Sequence, residues 1–146
     1  MRTTGAFLTQ ASAGQLRTLL ASPTGLETIA TLRHVVRTGP ETLSMLFTPV
    51  LALGPVPLET TVVTTYDSEQ RVDLAVRGRR GSQVVDVTLV VELGESRDGT
   101  AVSWTADVAV RGVAASVGQR VAGDLAGQAI SDVLKSSAEA ARGASA

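Results

Sequence analysis

Residues 112–135 read GVAASVGQRVAGDLAGQAISDVLK, and the reading of this stretch decides the fold. Val113, Val117, Val121 and Leu125 recur every four residues, and Ile130, Val133 and Leu134 continue the stripe. At 3.6 residues per turn, that spacing puts them on one face of a helix. Such a helix is about 35 Å long, enough to cross a small domain. Gly118, Gly123 and Gly127 lie inside it, and each costs about 1 kcal/mol against alanine in a helix interior. A helix that tolerates this cost has a use for bare backbone, either close packing or space for a guest.

Working outward, the chain from Thr31 to Arg111 alternates apolar and polar residues between Gly, Pro, Asp and Ser, the pattern of strands joined by turns. A hairpin at Gly54-Pro55 predicts Leu53 opposite Val56, Leu51 opposite Leu58, Phe47 opposite Val62 and Met45 opposite Thr64. A turn over Asp67–Gln70 sets Tyr66 against Val72 and Val62 against Val76. One at Arg80-Gly81 sets Val76 against Val85, Leu74 against Val87 and Val72 against Leu89. One over Glu95–Asp98 sets Leu89 against Trp104, Val87 against Ala106 and Val85 against Val108. Every step places apolar opposite apolar on one continuous face, as a one-sided antiparallel meander requires.

Before the meander, a strand over Gly5–Thr9 leads to a helix capped by Ser12 and running to Leu20. Pro23 then opens a second short helix that ends near Ile29. A one-sided sheet needs a cover, and the helix over 112–135 is the only element long enough. The expected fold class is therefore α+β, with about seven antiparallel strands against a long C-terminal helix. Residues 1–135 form one ligand-binding domain, and the Ala/Ser-rich tail 136–146 is expected to fray.

Composition narrows the function. With 146 residues, 44% hydrophobic and 18% charged, the chain can bury a core of its own. A net charge of −1 gives no reason to expect nucleic acid as a partner. Without cysteine there is no disulfide or thiolate chemistry, and a metal site would need carboxylates and the single histidine. The N-terminus lacks a signal-peptide core and no run of about 18 apolar residues exists, so a cytoplasmic protein is expected. Aromatics are only 3%, and a sheet and helix lined by Val, Ala, Leu and Gly leave volume between them.

Reactive groups are few. His34 has neither Asp nor Glu near it in sequence and reads as a strand-surface or half-buried residue. Asp86 and Asp107 fall opposite one another on the outer face, with Arg77 diagonal to Asp86 and able to balance the pair. Arg77, Arg79 and Arg80 read either as a solvated charge run or as a site for phosphate or an acidic partner. The apolar segment Met45–Leu58 reads either as an inward strand with its hairpin tip or as a greasy lip on a cavity.

The inward face supplies the candidate ligand-binding residues: Met45, Phe47, Leu51, Leu58, Val62, Leu74, Val87, Leu89 and Trp104 from the sheet, with Val117, Val121 and Leu125 from the helix. Its polar members are Thr60, Thr64, Tyr66 and the Trp104 indole, a thin set for acid–base work. No catalytic or metal-ligating residue is assigned. Gly123 is assigned to cavity space.

The chain also resembles a known family. The matching residues are Gly5-Ala6-Phe7, Ser22-Pro23, Gly54-Pro55-Val56 and Gly78-Arg79-Arg80-Gly81. They continue with the stretch from Thr100 through Trp104 to Ala114 and with Ser116-Val117-Gly118-Gln119-Arg120. The order of elements resembles the helix-grip fold of the START and birch-pollen-allergen superfamily, and the motifs are similar to the G-subunit family of carbon monoxide dehydrogenase. The chain departs from that family at Ala30-Thr31-Leu32-Arg33-His34, where relatives carry Pro-Gly.

The resemblance implies a curved sheet wrapped around the final helix and a non-catalytic accessory protein. It implies an isoprenoid quinone such as menaquinone, or another apolar lipid, in an internal cavity. It also implies carbon monoxide dehydrogenase or a similar molybdenum hydroxylase as partner, with peripheral contact at the inner face of the cell membrane. Two alternatives remain open: a polyketide cyclase or aromatase-like enzyme of the same fold, and a lipid-binding adaptor without a redox partner.

Overall fold

The structure is a computed structural model that describes residues 1–51, 54–112 and 119–143, without the side chains of residues 50, 51 and 119–122. The chain runs β1 (Arg2–Thr9), α1 (Ala13–Leu20), α2 (Pro23–Leu26), β2 (Leu32–Gly39), β3 (Thr42–Phe47), β4 (Val50–Leu51), β5 (Gly54–Pro55), β6 (Leu58–Asp67), β7 (Arg71–Arg80), β8 (Gln83–Ser96), β9 (Gly99–Arg111) and α3 (Gln119–Gly143). Seven strands form one curved antiparallel sheet in the order β1-β9-β8-β7-β6-β3-β2, and β4 and β5 make a separate two-stranded ribbon. This is a helix-grip architecture.

Local sequence explains the helix starts. The Ser12 hydroxyl accepts from the Gln15 N–H, and the Gln15 side chain accepts from the Ser12 N–H, a reciprocal capping box. Ser22 caps α2 through its own hydroxyl, with Pro23 in the first turn.

The predicted face of each strand holds while several registers shift. Phe47 pairs with Leu58 and Met45 with Thr60, four residues from the expected partners, because β4 and β5, which follow β3, pair with each other outside the main sheet. The β7–β8 and β8–β9 turns each sit one residue later than expected. Val76 therefore pairs with Val87, Leu89 with Ala106, and Trp104 with Val91. These slips are even-numbered, so no side chain changes face. The exception is a bulge between Thr64 and Tyr66, after which Tyr66 pairs with Asp73 rather than Val72. That single extra residue turns Tyr66 outward, to 53% exposure, where Arg71 lies 5.6 Å from its ring.

The tail expected to fray is helix instead. Helix α3 continues through Gly143, and Ser137, Ala138 and Ala141 are buried. Their small side chains let α3 lie close to α1, where Ala141 joins Ala11 and Leu19 in a cluster. Of the stretch 112–135, residues 113–118 lie outside the described residues.

The glycines of α3 also differ from expectation. A Cβ on Gly123 would collide with the Met1 side chain, and one on Gly127 would come 2.7 Å from Thr3 Oγ1. The bare backbone lets α3 approach β1, so at Gly123 it serves packing rather than cavity space.

Candidate functional site

Helix α3 packs chiefly against α1, β1 and β9, and its Val133 reaches across to the core under α2 and β2. The inward side chains beneath it form the main core, which contains Val87, Leu89, Val91, Trp104, Ala106 and Val108 with Leu16, Leu134 and Ala138. A second core lies at the opposite side, where Leu26, Ile29 and Leu32 meet Val35, Leu43 and Met45. Between the two, the inward chains of β6 and β7 are only half-buried: Leu58, Val62, Leu74 and Val76, with Phe47 and Val85 beside them. Half-buried aliphatic side chains on the inward side of a sheet leave apolar surface that a ligand or another apolar group can cover.

The sequence-predicted site residues therefore divide. Val87, Leu89 and Trp104 are buried in the main core and Met45 in the second. Phe47, Leu58, Val62, Leu74 and Leu125 are half-buried, and all but Leu125 belong to the concave surface. The Leu51 and Val121 side chains and all of Val117 lie outside the described residues. Val76 and Val85 were missed, although their alternation with Ala75, Arg77, Val84 and Asp86 already placed them on the inward face.

Polar atoms on this face are few. Thr60 is buried and its hydroxyl donates to the Leu58 carbonyl at 3.0 Å. Trp104 Nε1 is buried with no hydrogen-bond partner among the described residues. Thr64 is half-buried, and the charged residues at inward positions of β3 and β6–β9 stand at strand ends: Asp67 opposite Val72, where Arg17 of α1 donates to it at 3.0 Å, Arg80 opposite Gln83 and Glu95 opposite Thr100. No group of three or more His, Asp or Glu able to hold a metal occurs among the described residues.

Charges gather on the outer face. Asp86 pairs directly with Arg77 across β7–β8 and receives bonds of 2.7 Å from both Arg77 and Arg111. The Arg77 hydrogen bond holds the Asp86 carboxyl below the usual carboxylate range, partial burial works against it, and Arg111 adds to the lowering. Asp107 lies opposite Thr88 rather than Asp86, and pairs with Arg2 at 3.2 Å. The two carboxylates expected to face each other are thus separated by register and neutralised by different arginines. His34 is exposed, with φ 54 in the irregularity between Arg33 and Val36.

Residues 43–141 match the family described as the G subunit of carbon monoxide dehydrogenase (CoxG). The chain belongs to that family. No curated protein matches the sequence significantly. Among solved structures, a conserved protein from Geobacillus kaustophilus is similar at 21% identity and TM-score 0.82, over 97% of this chain and 95% of that one. A START superfamily protein from Mycobacterium smegmatis superposes with TM-score 0.68 at 12% identity, over 92% of each chain. The di-domain ARO/CYC StfQ from the steffimycin biosynthetic pathway gives TM-score 0.68 at 10% identity, over 99% of this chain and 51% of StfQ.

These likenesses establish the START-like fold. CoxG membership and fold together support a hydrophobic ligand-binding protein, while the ARO/CYC neighbour shows that the scaffold also serves enzymes. No helix among the described residues is long and apolar enough to cross a membrane.

Proposed function

We propose that the chain is a non-catalytic carrier that holds an isoprenoid quinone, such as menaquinone, against the concave face. In this reading it links carbon monoxide dehydrogenase or a related molybdenum hydroxylase to the respiratory chain, with peripheral contact at the inner face of the membrane. The observation that carries the reading is the half-buried aliphatic surface of Leu58, Val62, Leu74 and Val76 between two closed cores. An isoprenoid tail gains about 25 cal/mol for each Å² of apolar surface it removes from water there.

Membership of the CoxG family supports carbon monoxide dehydrogenase as the partner, and an electron-transferring partner favours a redox-active lipid over a structural one. The inward rows favour binding over catalysis, since acid–base chemistry needs a positioned proton donor or acceptor; the central part of these rows offers only Thr hydroxyls and an indole, and Asp67 at the end of β6 is paired with Arg17.

Organic extraction of the purified protein, followed by mass spectrometry, tests the reading. A quinone at near-equimolar amount is the expected result. A protein that comes out empty, and that also fails to bind added menaquinone, refutes it.

A further inference from the structure

The outer face carries a second feature that the ligand site does not use. Arg33, Leu46, Glu59, Arg79, Val84 and Arg111 form one cross-strand row over β2, β3, β6, β7, β8 and β9. In a neighbouring row, Ser44 and Thr61 lead to Arg77 and Asp86. An open groove of about 720 Å³ runs over this part of the face, between His34 and Val36 on one side and Arg77 and Arg79 on the other, with Leu46 in it.

The charge in these rows is unbalanced. Four guanidiniums, from Arg33, Arg77, Arg79 and Arg111, meet two carboxylates, Glu59 and Asp86, an excess of two positive charges in a chain whose net charge is −1. Arg77 and Arg111 already share Asp86. Arg33 and Arg79 have no hydrogen-bond or ion-pair partner among the described residues. Glu59 stands opposite Arg79 in register without forming an ion pair with it. Exposed Val36, at 55%, and half-buried Leu46 add apolar contact between the arginines.

We propose that this groove docks an acidic, apolar-interleaved segment of a partner protein, whose carboxylates engage Arg79 within the groove and Arg33 at its edge, opposite Leu46. The planar guanidinium forms paired hydrogen bonds with a carboxylate, which suits an ordered polypeptide side chain. The site is a groove, whereas a bilayer presents a broad flat surface. The docking face is on the opposite side of the sheet from the ligand surface, so it stands independently of the quinone reading.

The probe is a fluorescent peptide of alternating Glu and Leu, with binding read by anisotropy at low and at physiological salt. The wild-type chain should bind it, more weakly as salt rises. The double variant Arg33→Glu/Arg79→Glu should lose at least tenfold in affinity and gain affinity for the corresponding Lys-Leu peptide, while Arg97→Glu, in the β8–β9 turn, should bind as wild type does. If the double reversal fails to fold, Arg79→Ala alone should lose at least threefold. The proposal is overturned by a wild-type chain that does not bind the Glu-Leu peptide, or by an equal loss in Arg97→Glu. Binding to phosphatidylglycerol vesicles in place of the peptide also overturns it, and assigns the face to a membrane.

Discussion

Replacing Gly5 by alanine tests how tightly the sheet closes over the main core. Gly5 pairs with Trp104, and a Cβ on Gly5 would lie 2.5 Å from Cζ2 and 2.6 Å from Cε2 and Nε1 of the indole. Non-bonded carbon atoms rest about 3.5–4.0 Å apart, so the ring must retreat by roughly 1 Å. It has little room to do so, being 4% exposed within a cluster where Leu16 and Val91 are fully buried. Overpacking of this kind costs about 1–3 kcal/mol. Alanine returns about 0.4–1 kcal/mol by restricting the unfolded chain. The net loss is therefore centred on about 1 kcal/mol, which for a domain of this size lowers Tm by about 2–4 °C.

Urea denaturation of the wild type, Gly5→Ala, Trp104→Phe and the double variant measures the coupling directly. Phenylalanine removes Cζ2, the atom the new methyl would approach most closely, and leaves a smaller ring that can move aside. The double variant should therefore be more stable than the sum of the single losses predicts, by about 1 kcal/mol or more. A neutral Gly5→Ala, or simple additivity, would show that the glycine is not held there by the indole.

Three further predictions concern other parts of the fold. Val62→Glu places a carboxylate on the concave surface at a half-buried position, so the variant should fold but retain at least tenfold less co-purifying lipid by mass spectrometry; undiminished lipid places the ligand elsewhere. Asp86 has its pKa lowered in the folded state, chiefly by Arg77, so its contribution to stability is full above the usual carboxylate range and is lost as pH falls through the lowered value. Asp86→Asn should consequently be less stable at neutral pH and show a flatter acid limb in thermal melts, the two proteins converging at the acid end. Ala141→Asp buries a charge between α1 and α3, at a site 2% exposed, and should cost about 3 kcal/mol or more in a urea melt; a tail that does not pack would leave stability unchanged.

The faces of the strands were legible in the sequence because they depend on a period of two, and the turn errors displaced partners by two or four residues. Met45, Phe47, Val62, Leu74, Val87, Leu89 and Trp104 consequently point inward as alternation required. Tyr66 escaped because a bulge adds one residue without leaving a hydrophobic mark, and an odd shift reverses a face. The continuation of α3 past Lys135 was hidden for a different reason. Alanine buries little surface, so Ala138 and Ala141 look dispensable beside larger apolar residues, yet only small side chains fit where two helices lie close. The glycines of α3 announced close approach or empty space, and only the position of Met1 and Thr3 decides between them. The site itself was half legible: alternation identifies inward residues, but which of them stay half-buried depends on where α3 lies across the sheet.

The two departures from regular pairing in β2, between Arg33 and Val36 and between Arg37 and Gly39, have a consequence for the molecule's life in a crowded cell. This strand is the outermost on its side of the sheet, where unpaired amide and carbonyl groups could recruit a strand from another molecule. A growing fibril needs an evenly spaced ladder, and a strand kinked twice, with Arg33, His34 and Arg37 along it, does not offer one. The same irregularity that lifts His34 beside the outer groove thereby keeps this edge from becoming a template for polymerisation.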